Sequence, residues 1–175
     1  MALVVFLRGV NVGGHRTFQP KIVAKDLADF DVVNVGAAGT FVVRAPVSQA
    51  RLRAEILGRL PFQADVMICP GRALLDLAAV DPLSHDPACK DARAFISVLA
   101  RRPVKRPPLP LHQPAGANWQ VKILEITSRW ALSLWRRLGK TIVYPNAVVE
   151  KHLEVPATTR NWNTVAAICT ILNGS

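Results

Sequence analysis

At 175 residues, half of them hydrophobic and 19% charged, the chain can bury a proper core and falls outside the disordered and fibrous classes. Its formal net charge of +10 favours anionic partners such as nucleic acid or phosphorylated ligands, although arginine-, alanine- and proline-rich usage also fits a high-GC bacterial genome. Cys69, Cys89 and Cys169 are widely separated and form no C-x-x-C pair. A zinc site, a redox motif and a secreted disulfide framework therefore lack support.

The apolar run 2–7 reads as a buried strand. Arg8 follows it at once, so the run is too short for a signal peptide or a membrane span. The expected location is the cytoplasm, with no membrane partner. The next stretch, Arg8-Gly9-Val10-Asn11-Val12-Gly13-Gly14, reads as a tight loop. Glycine permits positive φ and close backbone approach, asparagine tolerates the same region, and arginine offers a fork of donors to carboxylate or phosphate. The alternative is a plain turn with a surface arginine.

From Pro20, Val23, Leu27 and Phe30 share one helical face. Strand-like runs follow at 31–35 and 40–44, joined by Gly36-Ala37-Ala38-Gly39. Ser48 is placed to cap a helix with Leu52, Ile56 and Leu60 inward. A fourth strand is expected at 65–69. This β-α-β-β-α-β order is the split βαβ, ferredoxin-like pattern: a mainly antiparallel sheet with two helices on one face. A short helix is expected from Arg72 to about Ala79.

The second half opens with a strand at 94–99. Residues 101–113 combine Arg101, Arg102, Lys105 and Arg106 with Pro103, Pro107, Pro108 and Pro110, which predicts a polyproline-like surface loop or a linker. Runs 119–127 and 130–135 read as a hairpin. Asn146 is expected to cap a helix over 147–153, ended by Pro156. A last helix is expected from about Trp162 to Leu172, with Trp162, Val165, Cys169 and Leu172 on one face. The fold class expected is therefore α+β: residues 1–80 as one ferredoxin-like half and 92–175 as a degraded second copy ending in two helices, with the proline loop standing where a helix should be.

Two segments carry a resemblance. Leu7-Arg8-Gly9-Val10-Asn11-Val12-Gly13-Gly14 lies near one end, and Val155-Pro156-Ala157-Thr158-Thr159-Arg160-Asn161-Trp162-Asn163-Thr164-Val165 near the other. With these the chain resembles the bacterial domain-of-unknown-function family 1697. The resemblance implies an α+β fold with two ferredoxin-like halves and implies no reaction. It also marks departures. Ala38-Gly39-Thr40 stands where the family usually carries Ser-Gly-Asn, and Ile142-Val143-Tyr144-Pro145 where it usually carries a Ser-Lys pair. If the family's site uses those groups, this chain is a divergent or inactive member.

The composition of both ends suggests a small anionic ligand, phosphorylated or carboxylated, between two loops. Arg8 and Arg160 would hold the anion. Asn11, Gly13, Gly14, Thr158, Thr159 and Asn161 would shape the site, and Trp162 would pack or stack. Free N–H groups at the start of the last helix would assist. The competing reading makes Thr158, Thr159 or Asn161 a cap and Trp162 core. Arg101, Arg102, Lys105 and Arg106 offer an alternative nucleic-acid surface. A third alternative is an enzyme acting on a phosphorylated metabolite, for which His15 is the only nearby base. His85, His112 and His152 sit in unremarkable contexts. No metal, cofactor or catalytic motif is present: neither the P-loop nor the dinucleotide fingerprint, H-E-x-x-H or G-x-S-x-G occurs. Nothing in the sequence points to an oligomeric state.

Overall fold

The apolar N-terminal run forms strand β1 (Leu3–Arg8) in the computed structural model, which describes residues 1–11, 14 and 17–174. Val4, Val5 and Phe6 are all fully buried. Both faces of β1 are therefore covered, which is why the run is continuously apolar rather than alternating. Pro20 sits at the first turn of α1 (Pro20–Asp26), where its missing N–H costs nothing. A 3-10 turn, Ala28–Phe30, leads to β2 (Val32–Val35) and β3 (Thr40–Val43). Ser48 Oγ accepts from the Arg51 N–H and caps α2 (Gln49–Leu57), as expected. Then come β4 (Asp65–Pro70) and α3 (Gly71–Val80).

These strands make a four-stranded sheet in the order β2-β3-β1-β4, every neighbouring pair antiparallel. Element order and pairing are consistent with the split βαβ expectation. Leu3, Val5, Leu7, Phe41, Val43 and Val66 form the core with Val23 and Leu27 of the α1 segment and Leu52 and Ile56 of α2.

The β2–β3 turn closes on Gly39, whose φ is +70°. A Cβ built there would lie 2.8 Å from Leu7 Cβ and 2.9 Å from Val10 Cγ2. Gly39→Ala therefore meets both backbone strain and a clash with packed side chains. We expect a loss of about 2–3 kcal/mol, read by urea unfolding. Gly36, also at positive φ but with open space around its Cβ position, should lose only about 1 kcal/mol as alanine. Equal losses at the two positions would show that packing at Gly39 contributes nothing.

The second sheet is built from β5 (Arg93–Leu99), β6 (Leu111–Gln113), β7 (Val121–Ile126), β8 (Trp130–Trp135) and β9 (Ala157–Asn161), with α4 (Pro145–Leu153) between the last two. Its order is β6-β7-β8-β5-β9, again antiparallel throughout. The run β7-β8-β5-β9 repeats β2-β3-β1-β4, with β5 in the role of β1, β9 in that of β4 and α4 in that of α2. The proline segment with β6 stands where α1 stands in the first sheet. The core under α4 joins Val148, Val149 and Leu153 to Val121, Ile123, Ala131 and Ala157.

Three local expectations need correction. Residues 111–113 pair with β7 instead of remaining irregular, because Leu111 has Ile123 as its register partner. Asn146 does not cap α4. The helix starts two residues earlier than expected, at Pro145, with Tyr144 as N-cap. Residues 157–161 form strand β9 where the sequence suggested only a lead-in to the final helix, α5 (Trp162–Asn173).

The chain divides into two compact units, Met1–Val80 with Asn163–Ser175, and Asp81–Trp162. Within the first unit, α5 meets α3 at Gly71, where any Cβ would lie 2.8 Å from Leu172 Cδ2. Its buried residues are Val165 and Ile168. All three cysteines are free thiols. Among the described residues no helix is long and apolar enough to cross a membrane.

Candidate functional site

Arg8 ends β1 directly opposite Asp65 of β4. Its Nη1 lies 3.3 Å from Asp65 Oδ2, so part of its donor fork already faces a carboxylate. Asn11 takes a positive φ of 52°. Its amide nitrogen donates to Ala37 O at 2.8 Å, and its Oδ1 accepts from Phe18 N–H at 2.9 Å. One side chain thus ties the loop to the β2–β3 turn and to the approach to α1. Gly14 is exposed, with φ +76°. Gly13 and His15 lie outside the described residues.

The second predicted cluster falls on β9, and a strand sends successive side chains to opposite faces. Thr158 and Arg160 therefore share one face, and Thr159 and Asn161 the other. Arg160 is only 8% exposed. Its Nη1 donates to Thr158 Oγ1 at 2.7 Å and to Thr159 O at 3.0 Å. Burial pushes its pKa down to about 10, because a low-dielectric surrounding disfavours the charged form. Asn161 is exposed, and Trp162, half-buried, is the first residue of α5.

Thr159 faces a different environment. On its side of the sheet lies a cavity of about 380 Å³ lined by Arg93, Phe95, Trp135, Tyr144, Pro145, Asn146 and Thr159. Sheet register assembles it. Arg93 pairs with Trp135 across β5 and β8, and Thr159 pairs with Ser97, two positions along β5 from Phe95. The first turn of α4 supplies Pro145 and Asn146. Phe95 and Trp135 meet edge to face, with centroids 6.3 Å apart and planes at 87°. The Trp135 indole is anchored by Nε1–H donating to Val143 O at 2.8 Å. Thr159 Oγ1 lies 2.7 Å from Ser97 Oγ and donates to Asn146 Oδ1 at 2.8 Å. Arg93 is exposed and makes no ion pair with any described residue.

Ser133 stands on the same face, opposite Phe95. It is fully buried, and its hydroxyl has no partner among the described residues. A buried hydroxyl without a hydrogen bond carries an uncompensated desolvation cost. Ser133→Ala should accordingly raise stability by about 1 kcal/mol in thermal or urea unfolding. A loss of stability would mean that the hydroxyl is satisfied after all.

Of the predicted residues that are described, only Thr159 lines this cavity. Arg93, Phe95, Trp135 and Tyr144 were not singled out as site residues, and Asn146 was assigned a capping role. The usable signal lay in β5, where Arg93, Phe95 and Ser97 alternate onto one face. A further hint lay in Tyr144 and Pro145, within the segment where the resemblance breaks down.

Further polar features of the second unit lie away from this cavity. Arg101, Arg102, Lys105 and Arg106 are exposed, and Lys105 pairs with Glu154 at 2.6 Å. Asp86 meets Lys122 at 2.6 Å in a largely buried pair. Burial alone would raise the Asp86 pKa, but the Lys122 hydrogen bond, the Ala88 N–H and the charges of Lys122 and His112 together hold it below the usual value. Trp119 carries the Arg136 guanidinium 3.9 Å from its ring centroid. Among the described residues no group of three His, Cys, Asp or Glu side chains comes together to hold a metal.

The family described as "Protein of unknown function (DUF1697)" matches residues 1–125. The chain belongs to that family. The matched region includes the Leu7–Gly14 segment and ends before the 155–165 segment. A search of curated proteins gives no match. A solved structure, that of the conserved bacterial protein SP0830 from Streptococcus pneumoniae, is similar over 98% of this chain and 98% of its own, with a TM-score of 0.58 and 16% identity. At that identity the likeness shows a shared fold. The α+β architecture with two antiparallel sheets therefore stands in this DUF1697 chain as it was expected from the sequence.

Proposed function

We propose that this protein binds a small organic anion in the cavity between the start of α4 and the second sheet. The observation that carries the reading is the lining itself: aromatic walls with a few polar groups, among them the cation Arg93. Its volume lies at the lower end of the range typical of small-molecule sites. The walls suit an apolar body and Arg93 suits a negative charge. Thr159 belongs both to this cavity and to the segment singled out from the sequence. Arg8 and Asn11 spend polar groups on Asp65, Ala37 and Phe18, so the weight of the proposal rests on Arg93. Arg160 shares a face of β9 with Thr158, away from this cavity.

The test is an NMR titration with a panel of small organic anions at low and high salt. The Trp135 indole N–H is the reporter. A saturable shift at Trp135, Phe95 and Thr159 that survives added salt supports the reading, and no saturable shift with any anion overturns it.

A nucleic-acid surface is the second reading, supported by the exposed Arg101, Arg102, Lys105 and Arg106 and the net charge of +10. It predicts shifts confined to that loop, with affinity falling steeply as salt rises. An enzymatic role on a phosphorylated metabolite gains no residue from this cavity, whose lining among the described residues includes no histidine or carboxylate; His15, its one candidate base, lies outside the described residues.

A further inference from the structure

We propose that the ligand of this cavity is an aromatic monocarboxylate, selected by an Asn146 amide that Thr159 holds in one orientation. The inference rests on the anion-binding reading above and narrows it to a chemical class.

The argument begins with counting hydrogens. A threonine hydroxyl has one hydrogen to give. At Thr159 it goes to Asn146 Oδ1, 2.8 Å away. The 2.7 Å contact between Thr159 and Ser97 must then be donated by Ser97 Oγ. The chain runs in one direction, Ser97 to Thr159 to Asn146, and its first member is fully buried. Asn146 Oδ1 is occupied, and Nδ2, which can only donate, is the amide's free polar atom: it makes no hydrogen bond with a described residue.

The cavity therefore offers two nitrogen donors, Asn146 Nδ2 and the Arg93 guanidinium. Both suit the two oxygens of a carboxylate. A carboxamide in the same place would turn its own NH₂ against one of them and leave that donor without its partner in the ligand. Tyr144, whose hydroxyl can donate or accept, is 64% exposed and does not impose the choice.

Two features favour carboxylate over phosphate. Arg93 is the only charged residue of the lining among the described residues, which suits a single negative charge better than the ~1.5–2 of a phosphate monoester at neutral pH. Pro145 at the start of α4 also removes one of the backbone N–H groups that phosphate sites at helix starts use. The aromatic body follows from the walls, since the edge-to-face Phe95–Trp135 pair and the neighbouring Tyr144 and Pro145 offer flat surfaces to a flat ring.

The probes are indole-3-acetate, indole-3-acetamide, indoxyl phosphate and cyclohexylacetate, titrated by calorimetry and NMR. Wild-type protein should bind indole-3-acetate at least tenfold more tightly than the other three. Thr159→Val frees the Asn146 amide to turn over, so the acetate-to-acetamide ratio should fall towards one, while Thr159→Ser, and Ser97→Ala, which leaves Thr159 donating to Asn146 Oδ1, should keep it. Asn146→Asp should lose acetate binding. A merely structural role for Thr159 would weaken both ligands together and leave the ratio unchanged. If Thr159→Val does not fold, Thr159→Ala, which also removes the hydroxyl, carries the same test. Binding of none of the anions overturns the anion reading of the cavity itself. Tighter binding of indoxyl phosphate or cyclohexylacetate leaves that reading standing and overturns the aromatic carboxylate. An unchanged ratio in the variant without the Thr159 hydroxyl overturns the selecting role of Asn146.

Discussion

Arg160→Ala should lose about 3 kcal/mol of stability. The side chain is almost entirely buried in the native protein. Its Nη1 donates to Thr158 Oγ1 and to the Thr159 carbonyl. Truncation removes the packing of a long side chain and strips Thr158 Oγ1 of this donor. Urea unfolding at neutral pH measures the loss. A wild-type midpoint in Arg160→Ala would show that the buried guanidinium is dispensable for folding, and would return Arg160 to consideration as a ligand residue.

The same residue carries a pH signature. Its folded-state pKa of about 10 lies below the ordinary arginine value, so the folded protein gives up this proton before the unfolded chain does. The cost of burying the charge is felt in full below about 10 and fades as pH rises from there towards the ordinary arginine value. Through that window the contribution of Arg160 to stability rises with pH. The gap between wild type and Arg160→Ala should therefore widen on passing through pH 10. A gap that narrows would contradict the cause assigned to the shift.

Arg93→Ala should cost at least tenfold in affinity for the organic anion while leaving the fold intact. Arg93 is exposed at the start of β5, so its removal should change stability by no more than about 0.5 kcal/mol. A charge-assisted hydrogen bond is worth about 1.5–3 kcal/mol, which corresponds to a loss of roughly 10- to 100-fold in binding. Trp135→Ala is a less clean variant, because the Trp135 ring also packs against the core under α4. Arg93→Lys keeps the charge without the planar fork and should recover only part of the affinity. If Arg93→Ala binds as the wild type does, the cavity is not an anion site.

The first half of the chain was legible because its signals are local. The apolar run before Arg8, the Ser48 cap and the glycine-closed turn at 36–39 each act over a few residues, and each became the expected element. The continuous burial of β1 left its element type clear, although it hid which side chains face which layer. The order of elements then carried the fold class.

The candidate site was legible only in part, for a reason visible in β9. Thr158, Thr159, Arg160 and Asn161 look like one polar cluster when read as a loop or a helix start. Pairing with β5 makes them a strand, and its alternation separates Arg160 from Thr159. Nothing within 157–161 forces that choice, because the hydrogen bonds that make the strand come from residues about sixty positions earlier. Arg93, Trp135 and Asn146 meet for the same reason, across register and helix packing that no local window contains. The sequence by itself determined which segments are buried, where most elements begin and which family the chain belongs to. Only the tertiary structure decided which polar side chains share a face, because strand pairing assigns those faces through long-range hydrogen bonds.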